Sequence, residues 1–107
     1  MTYKVIIPPG VFAEIDAFVV YMLGEGAGSD VAERWILGVV DALQSLGDMP
    51  RRHPLAERPS EARRGEIRRM SLGPRLAYYR VDEDRCEVRV LTLRHGHRRP
   101  WDGSRLG

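Results

Sequence analysis

Arginine is the residue type in this sequence that is best suited to bind an anion. Sixteen of its 17 basic residues are arginine, and fifteen of these follow Met49. The guanidinium group is charged at any physiological pH, and its planar fork of donors matches phosphate and carboxylate oxygens. The sequence therefore predicts a surface that grips an anion, with nucleic acid as the leading ligand and an acidic protein as the alternative. The arginines of interest are Arg68, Arg69, Arg75, Arg80, Arg94 and Arg98.

Charge is divided unevenly along the chain. Residues 1–50 contain two basic and seven acidic residues, whereas residues 51–107 contain fifteen basic and eight acidic ones. The overall net charge of +2 therefore conceals a dipolar molecule, with an acidic first half and a basic second half.

Several kinds of chemistry lack the residues they need. The sequence contains no Gly-x-x-x-x-Gly-Lys, Cys-x-x-Cys, His-Glu-x-x-His or Gly-x-Ser-x-Gly motif. Three histidines and one cysteine show no metal-ligand spacing, so we expect no metal and no cofactor. Cys86, at the start of an apolar segment, is predicted to serve packing.

Length and composition indicate a single domain over residues 1–107, with a short flexible tail from about residue 100. The chain has 107 residues, of which 43% are hydrophobic and 30% charged, which is ordinary for a globular protein. No apolar run is long enough to cross a bilayer, and the first residues do not resemble a signal peptide. We expect a cytoplasmic protein without membrane contact.

Two segments of the acidic half have helical periodicity. The first runs from Val11 to Leu23 with Pro9 in its first turn, and its predicted buried face comprises Phe12, Ile15, Val19, Met22 and Leu23. The second begins after Ser29 or Asp30, where Asp30 and Glu33 predict a capping-box variant. Its predicted buried face comprises Ala32, Trp35, Ile36, Val39, Leu43 and Leu46.

Strands flank these helices. A short strand covers Tyr3 to Ile7, and after an arginine-rich polar connection over residues 51–65 three strands are predicted near residues 66–72, 75–81 and 86–94. The order β-α-α-β-β-β predicts an α+β domain in which an αα-hairpin packs on one face of a small, mostly antiparallel sheet. Exposed arginines would then collect on the opposite face.

Taken together, these segments resemble the RelE/ParE toxins of bacterial type II toxin-antitoxin systems. The resemblance covers roughly Tyr3 to Arg98. It rests on Ala-x-x-Trp-Ile in the second helix, the exit from Leu46 to Pro50, Ile-Arg-Arg-Met-x-x-Gly-Pro from Ile67, Tyr-Tyr-Arg-Val from Tyr78, and Val-x-Val-Leu-x-Leu-Arg-His-Gly-x-Arg from Val88. It implies a toxin that a cognate acidic antitoxin holds inactive.

The resemblance leaves two active functions and one inactive alternative. The first expectation is a ribosome-dependent, metal-independent endoribonuclease that cleaves mRNA. Its predicted catalytic residues are Arg68, Arg75, Tyr78, His95 and Arg98, and its predicted RNA-binding residues are Arg69, Arg80 and Arg94. The alternatives are a DNA gyrase inhibitor without a catalytic site and an inactive module that only binds the antitoxin. The partner is accordingly mRNA on the ribosome or DNA gyrase.

Two registers of the middle strand remain open. Arg75-Leu76-Ala77-Tyr78 is similar to a strand motif of the nucleases, whereas the more general family pattern aligns on Tyr79-Arg80-Val81. A shift of one residue turns every side chain of a strand to the other face. Arg75 therefore lies in the candidate site in one register and outside it in the other, and of Tyr78 and Tyr79 one is expected in the core and the other at the site.

Overall fold

The computed structural model describes residues 2–56 and 66–95, and for His95 it describes the backbone alone. The element order is β-α-α-β-β-β, as predicted. The elements are β1 (Lys4–Ile6), α1 (Pro9–Gly24), α2 (Ser29–Gln44), β2 (Ile67–Leu72), β3 (Arg75–Asp82) and β4 (Glu87–His95). Two short 3-10 turns, Ser45–Gly47 and Pro50–Arg52, follow α2.

The described strands form one sheet with the order β1-β4-β3-β2. β2, β3 and β4 are a meander of antiparallel neighbours, and the tight β2–β3 turn contains Gly73 at a φ of 63°, which glycine adopts without steric cost. β1 runs parallel to β4, with Lys4 opposite Glu87. A parallel pair needs a long crossover, and the αα-hairpin begins the connection that provides it. The sheet is therefore mostly antiparallel, as expected.

The main core lies between the helices and one face of the sheet. Val11 and Ile15 of α1 and Val39 and Leu43 of α2 are buried there. The sheet contributes Met70, Ala77, Tyr79, Val81, Val88, Val90 and Leu93. Alternate residues of β3 meet the helices, because successive side chains of a strand point to opposite faces. This alternation fixes which arginines can face away from the helices.

Two details of the helices differ from the sequence prediction. Phe12 and Leu23, expected in the buried face of α1, are 44% and 45% exposed, because α1 buries only a narrow line through Val11 and Ile15. The predicted capping box of α2 is wrong. The cap residue is Gly28, which makes no side-chain cap hydrogen bond, while Asp30 lies inside the first turn.

The segment after α2 crosses one end of the sheet on the side of the helices. Gly47 accepts a hydrogen bond from the Tyr3 amide at 2.7 Å, and a side chain at Gly47 would collide with the Tyr3 carbonyl. The segment then reaches the free edge of β2, where the Ala56 amide donates to the Ile67 carbonyl at 2.8 Å. This edge contact brings Ala56 to the face of the sheet opposite the helices.

Candidate anion-binding face of the sheet

Among the described residues, four arginines occupy the face of the sheet that points away from the helices. The register pairs Arg80 of β3 with Arg89 of β4, Arg69 with Tyr78, and Leu76 with Arg94. These positions alternate with the core residues of β3, so they belong to the opposite face. We call the set Arg69, Arg80, Arg89 and Arg94 the arginine face.

The arginine face surrounds a small apolar cluster. Ala56, Ile67 and Tyr78 are buried in it, and Leu76 and Leu91 pack against them. Arginine stems commonly cover apolar surface of this kind while their charged ends stay in water. The apolar cluster therefore provides packing contacts for the stems of these arginines.

Arg80 and Arg89 stand directly opposite each other on adjacent antiparallel strands. Side chains in such pairs begin about 5 Å apart, and like charges placed there repel. Within residues 2–56 and 66–94, neither guanidinium forms an ion pair with a carboxylate. The Nε atoms of Arg80 and Arg94 are buried and have no hydrogen-bond acceptor among these residues.

Arg68, a predicted catalytic residue, lies on the opposite side of the sheet from the arginine face. It is the register partner of Tyr79, which is in the main core. Its guanidinium donates to Glu66 at 2.8 Å and to the His53 carbonyl at 2.6 Å, and its side chain is 14% exposed. Arg68 thus fastens residues 51–53 to the edge of β2.

Arg75 also faces the helices. Its guanidinium carbon lies 4.0 Å from the centre of the Phe18 ring of α1, a cation–π contact. Phe18 in turn packs on Trp35 of α2, with ring centres 4.7 Å apart. The structure therefore places Arg75 in the register that keeps it away from the arginine face.

Both tyrosines of β3 are buried, whereas one was expected at the site. Tyr79 lies in the main core and its hydroxyl donates to the Pro50 carbonyl at 2.5 Å. Burial raises the pKa of the Tyr79 hydroxyl to about 12. Tyr78 lies under the arginine face but is only 2% exposed, because Ala56 and Ile67 pack around it.

The remaining candidates are only partly described. His95 ends β4 as the register partner of Arg75, and its side chain lies outside the described part of the structure. Arg98 and the tail predicted from about residue 100 lie outside the described residues as well.

His53 packs edge-on against Tyr79 on the helix side, where burial and the charge of Arg52 lower the pKa of its imidazole.

Arg89 was missed by the sequence analysis. It alternates with Val88 and Val90, both fully buried, and this alternation in the sequence was the signal that could have revealed it.

A polar network closes the end of the sheet near β1. The Tyr3 hydroxyl donates to Glu83 at 2.6 Å, and Arg51 donates to the same carboxylate. These two hydrogen bonds lower the pKa of Glu83, and the hydrogen bond from Arg68 similarly lowers the pKa of Glu66. The network lies away from the arginine face and ties β1, the β3–β4 turn and the start of β2 together.

Neither a metal site nor a membrane span is found in the described part of the chain. Histidine, cysteine, aspartate and glutamate side chains there do not gather in groups that could hold a metal ion. No helix among these residues is both long and apolar enough to cross a bilayer.

The fold has known relatives among solved structures. A chain from the chromosomal ParDE TA system of P. aeruginosa superimposes with a TM-score of 0.67 at 22% identity, covering 88% of this chain and 96% of that one. The E. coli toxin RelE, as a mutant in the free state, superimposes with a TM-score of 0.55 at 17% identity, covering 91% of this chain and 86% of that one. The architecture is therefore that of the RelE and ParE toxins.

The sequence itself assigns the family. Residues 5–100 match the family model described as ParE toxin of type II toxin-antitoxin system, parDE. This chain belongs to that family and is the toxin of a type II toxin-antitoxin module. A comparison with curated protein sequences gives no significant match.

Proposed function

We propose that this toxin stops growth by binding DNA gyrase and that it does not cleave RNA. The carrying observation is that three of the five predicted catalytic residues, Arg68, Arg75 and Tyr78, take part in packing or hydrogen bonds within the fold. Arg68 is held by Glu66 and by backbone carbonyls, Arg75 packs on Phe18 behind the sheet, and Tyr78 is buried. The ParE family model supports the same proposal.

Cleavage of RNA by attack of the 2′-hydroxyl needs a base, an acid and cations at one phosphodiester. The arginine face supplies cations. Asp82 and Glu87 are the described carboxylates on this side of the sheet. They are register partners at the end of β3 and β4 that adjoins the β3–β4 turn. Within the described part of the chain, neither a histidine nor an exposed tyrosine accompanies the arginines. A binding role requires only the cations.

The toxin needs an antitoxin partner. The P. aeruginosa relative comes from a ParDE TA system, and the family model names the same module. We expect a cognate acidic antitoxin, since a positively charged face attracts a negatively charged segment. A small acidic protein encoded in the adjacent reading frame is the first candidate.

Purified toxin added to gyrase and supercoiled plasmid tests the proposal. We expect lost supercoiling and trapped gyrase–DNA complexes, while total RNA from cells that express the toxin stays intact. The matched control is the same toxin saturated with its antitoxin, which should leave gyrase active. Normal gyrase activity together with cleaved messages would reject the proposal.

The endoribonuclease remains a second candidate because of the arginine face itself. Arg69, Arg80 and Arg94 are the residues predicted to hold RNA, and they share one side of the sheet. Mapping of message ends after induction distinguishes this function, since a nuclease leaves new 5′ ends within translated frames. An inactive antitoxin-binding module would allow normal growth on overexpression.

A further inference from the structure

The arginine face contains a charge arrangement that the fold alone does not explain. Arg80 and Arg89 are directly opposed, and neither has a carboxylate partner among the described residues. Two opposed guanidinium groups cost stability unless an anion lies between them. The buried Nε atom of Arg80 also lacks an acceptor within the same part of the chain. Both observations indicate an anionic ligand.

The ligand must be long enough to contact more than one arginine of this face. Arg94 lies on the same face opposite Leu76, which is four residues from Arg80 along β3, a separation of roughly 13 Å at about 3.3 Å per residue. Its Nε atom is also buried without an acceptor among the described residues. A single phosphate cannot reach both ends, whereas a polyanion can.

The face is unsuited to reading unpaired bases. Proteins that bind single-stranded nucleic acid stack its bases on exposed aromatic rings. Among the described residues, the aromatic side chain on this side of the sheet is that of Tyr78, and it is buried beneath Ala56 and Ile67. A surface that has guanidinium groups but lacks an exposed aromatic ring is suited to the sugar–phosphate backbone, as in sequence-independent binding of duplexes.

We propose that Arg80, Arg89 and Arg94 form a binding site for the phosphate backbone of duplex DNA. This inference rests on the proposed function, because a toxin that acts on gyrase meets its target together with DNA. The toxin then holds gyrase and the DNA segment at the same time. An acidic antitoxin laid over the same arginines competes with DNA and blocks this step.

The test measures fluorescence anisotropy of a labelled 30-base-pair DNA duplex with the full-length toxin over a salt series. We expect binding by the wild type and a loss of about tenfold or more in the double variant Arg80→Gln/Arg89→Gln, with a salt slope smaller by about 1.8, because each lost phosphate contact removes about 0.9. The control Arg34→Gln/Arg85→Gln removes two charges elsewhere and should keep the affinity.

Thermal unfolding at low salt checks that the loss is not misfolding. Removing one of two opposed like charges should raise the unfolding midpoint of Arg80→Gln or leave it unchanged. A midpoint so low that the variant is unfolded at the assay temperature would attribute the lost DNA binding to misfolding, and this result contradicts the proposal.

Parallel arms identify the ligand. Tighter binding of single-stranded RNA or duplex RNA of equal length, lost in the same double variant, would assign the face to RNA and overturn the DNA site. Unchanged DNA binding with lost antitoxin binding would assign it to the antitoxin alone and also overturn it. Gyrase assays run separately: a wild type that binds DNA and leaves gyrase active refutes the proposed function while the DNA site stands.

Discussion

The Tyr79 hydroxyl shows how one buried polar group joins two parts of the fold. It donates to the carbonyl of Pro50, which is itself buried, so the segment after α2 is held against the centre of β3. Ionisation of this hydroxyl would remove the donor and place a charge in the core. The pKa is accordingly raised from 10.0 to about 12, mainly by burial.

This shift predicts a loss of stability in alkali. The folded state keeps the Tyr79 proton up to about pH 12, whereas the unfolded state releases it near pH 10. The stabilisation is therefore complete below about pH 10 and is lost as the pH rises toward about 12. Urea unfolding from pH 8 to pH 11.5 should show this decline. The free energy of unfolding of Tyr79→Phe should be lower than that of the wild type by about 1–2 kcal/mol at pH 8. The part of the alkaline decline that comes from ionisation of Tyr79 should be absent in this variant.

Tyr21→Phe is the matched control, because Tyr21 is exposed on α1 and should unfold like the wild type. Equal alkaline profiles for Tyr79→Phe and the wild type would contradict the assignment of the shift to Tyr79.

Neighbouring arginines of β2 have different roles because of the pleat. Arg68 and Arg69 follow one another, yet Arg68 binds the carbonyls of residues 51 and 53 behind the sheet and Arg69 belongs to the arginine face. The two residues are of the same type and adjacent in the sequence. The register of β2 against β3 therefore decides that Arg68 has a structural role and that Arg69 is a candidate for ligand binding.

Helix α1 is joined to β4 at an irregularity of the sheet. The β3–β4 register shifts between Tyr78 and Tyr79, which leaves Leu91 as an extra residue on β4. Glu14 of α1 reaches this point and accepts hydrogen bonds from the Thr92 hydroxyl at 2.7 Å and the Leu93 amide at 3.1 Å. One carboxylate thus accepts hydrogen bonds from two donors that the bulge would otherwise leave buried without an acceptor.

Removal of this carboxylate should destabilise the protein. Glu14→Ala leaves the fully buried Thr92 hydroxyl and the Leu93 amide without their acceptor, and we expect a loss of about 1–3 kcal/mol in the free energy of unfolding. Glu14→Gln keeps one acceptor oxygen and should lose less. Urea denaturation measures both.

The control is Asp16→Ala, two residues further along the same helix, where the exposed side chain makes no such contact. A wild-type denaturation curve for Glu14→Ala would show that the bulge does not depend on α1.

At the scale of the whole molecule, the two helices and the arginine face carry opposite charge. Of the charged residues of the two helices, only Arg34 is basic, whereas the arginine face lies on the other side of the sheet. The outer surface of α1 also exposes apolar residues, among them Phe12, Val20 and Leu23. A partner can therefore approach through charge on one side or through apolar contact on the other.

We expect the antitoxin to use charge. Its affinity for the toxin, measured by calorimetry between 50 and 500 mM salt, should fall by about tenfold or more, mainly through slower association. The toxin variant Arg80→Gln/Arg89→Gln should bind less tightly and depend less on salt. An affinity that does not change with salt would point to the apolar surface of α1.

The sequence by itself determined the order of the elements, the single sheet and the family. These follow from local signals: the three-and-four spacing around Ile15, the alternation through Val81 and Val88, and the breaks at glycine and proline. The same signals predicted that arginines would gather opposite the helices, and Arg69, Arg80 and Arg94 lie on that face.

Only the tertiary structure decided what each arginine and tyrosine does. The side on which Arg75 lies, the burial of both Tyr78 and Tyr79, and the hold of Arg68 on the carbonyl of His53 depend on strand register and on a connection folded over the sheet edge. These are contacts between residues far apart in the chain, and periodicity within a strand carries no information about which face a distant segment will cover.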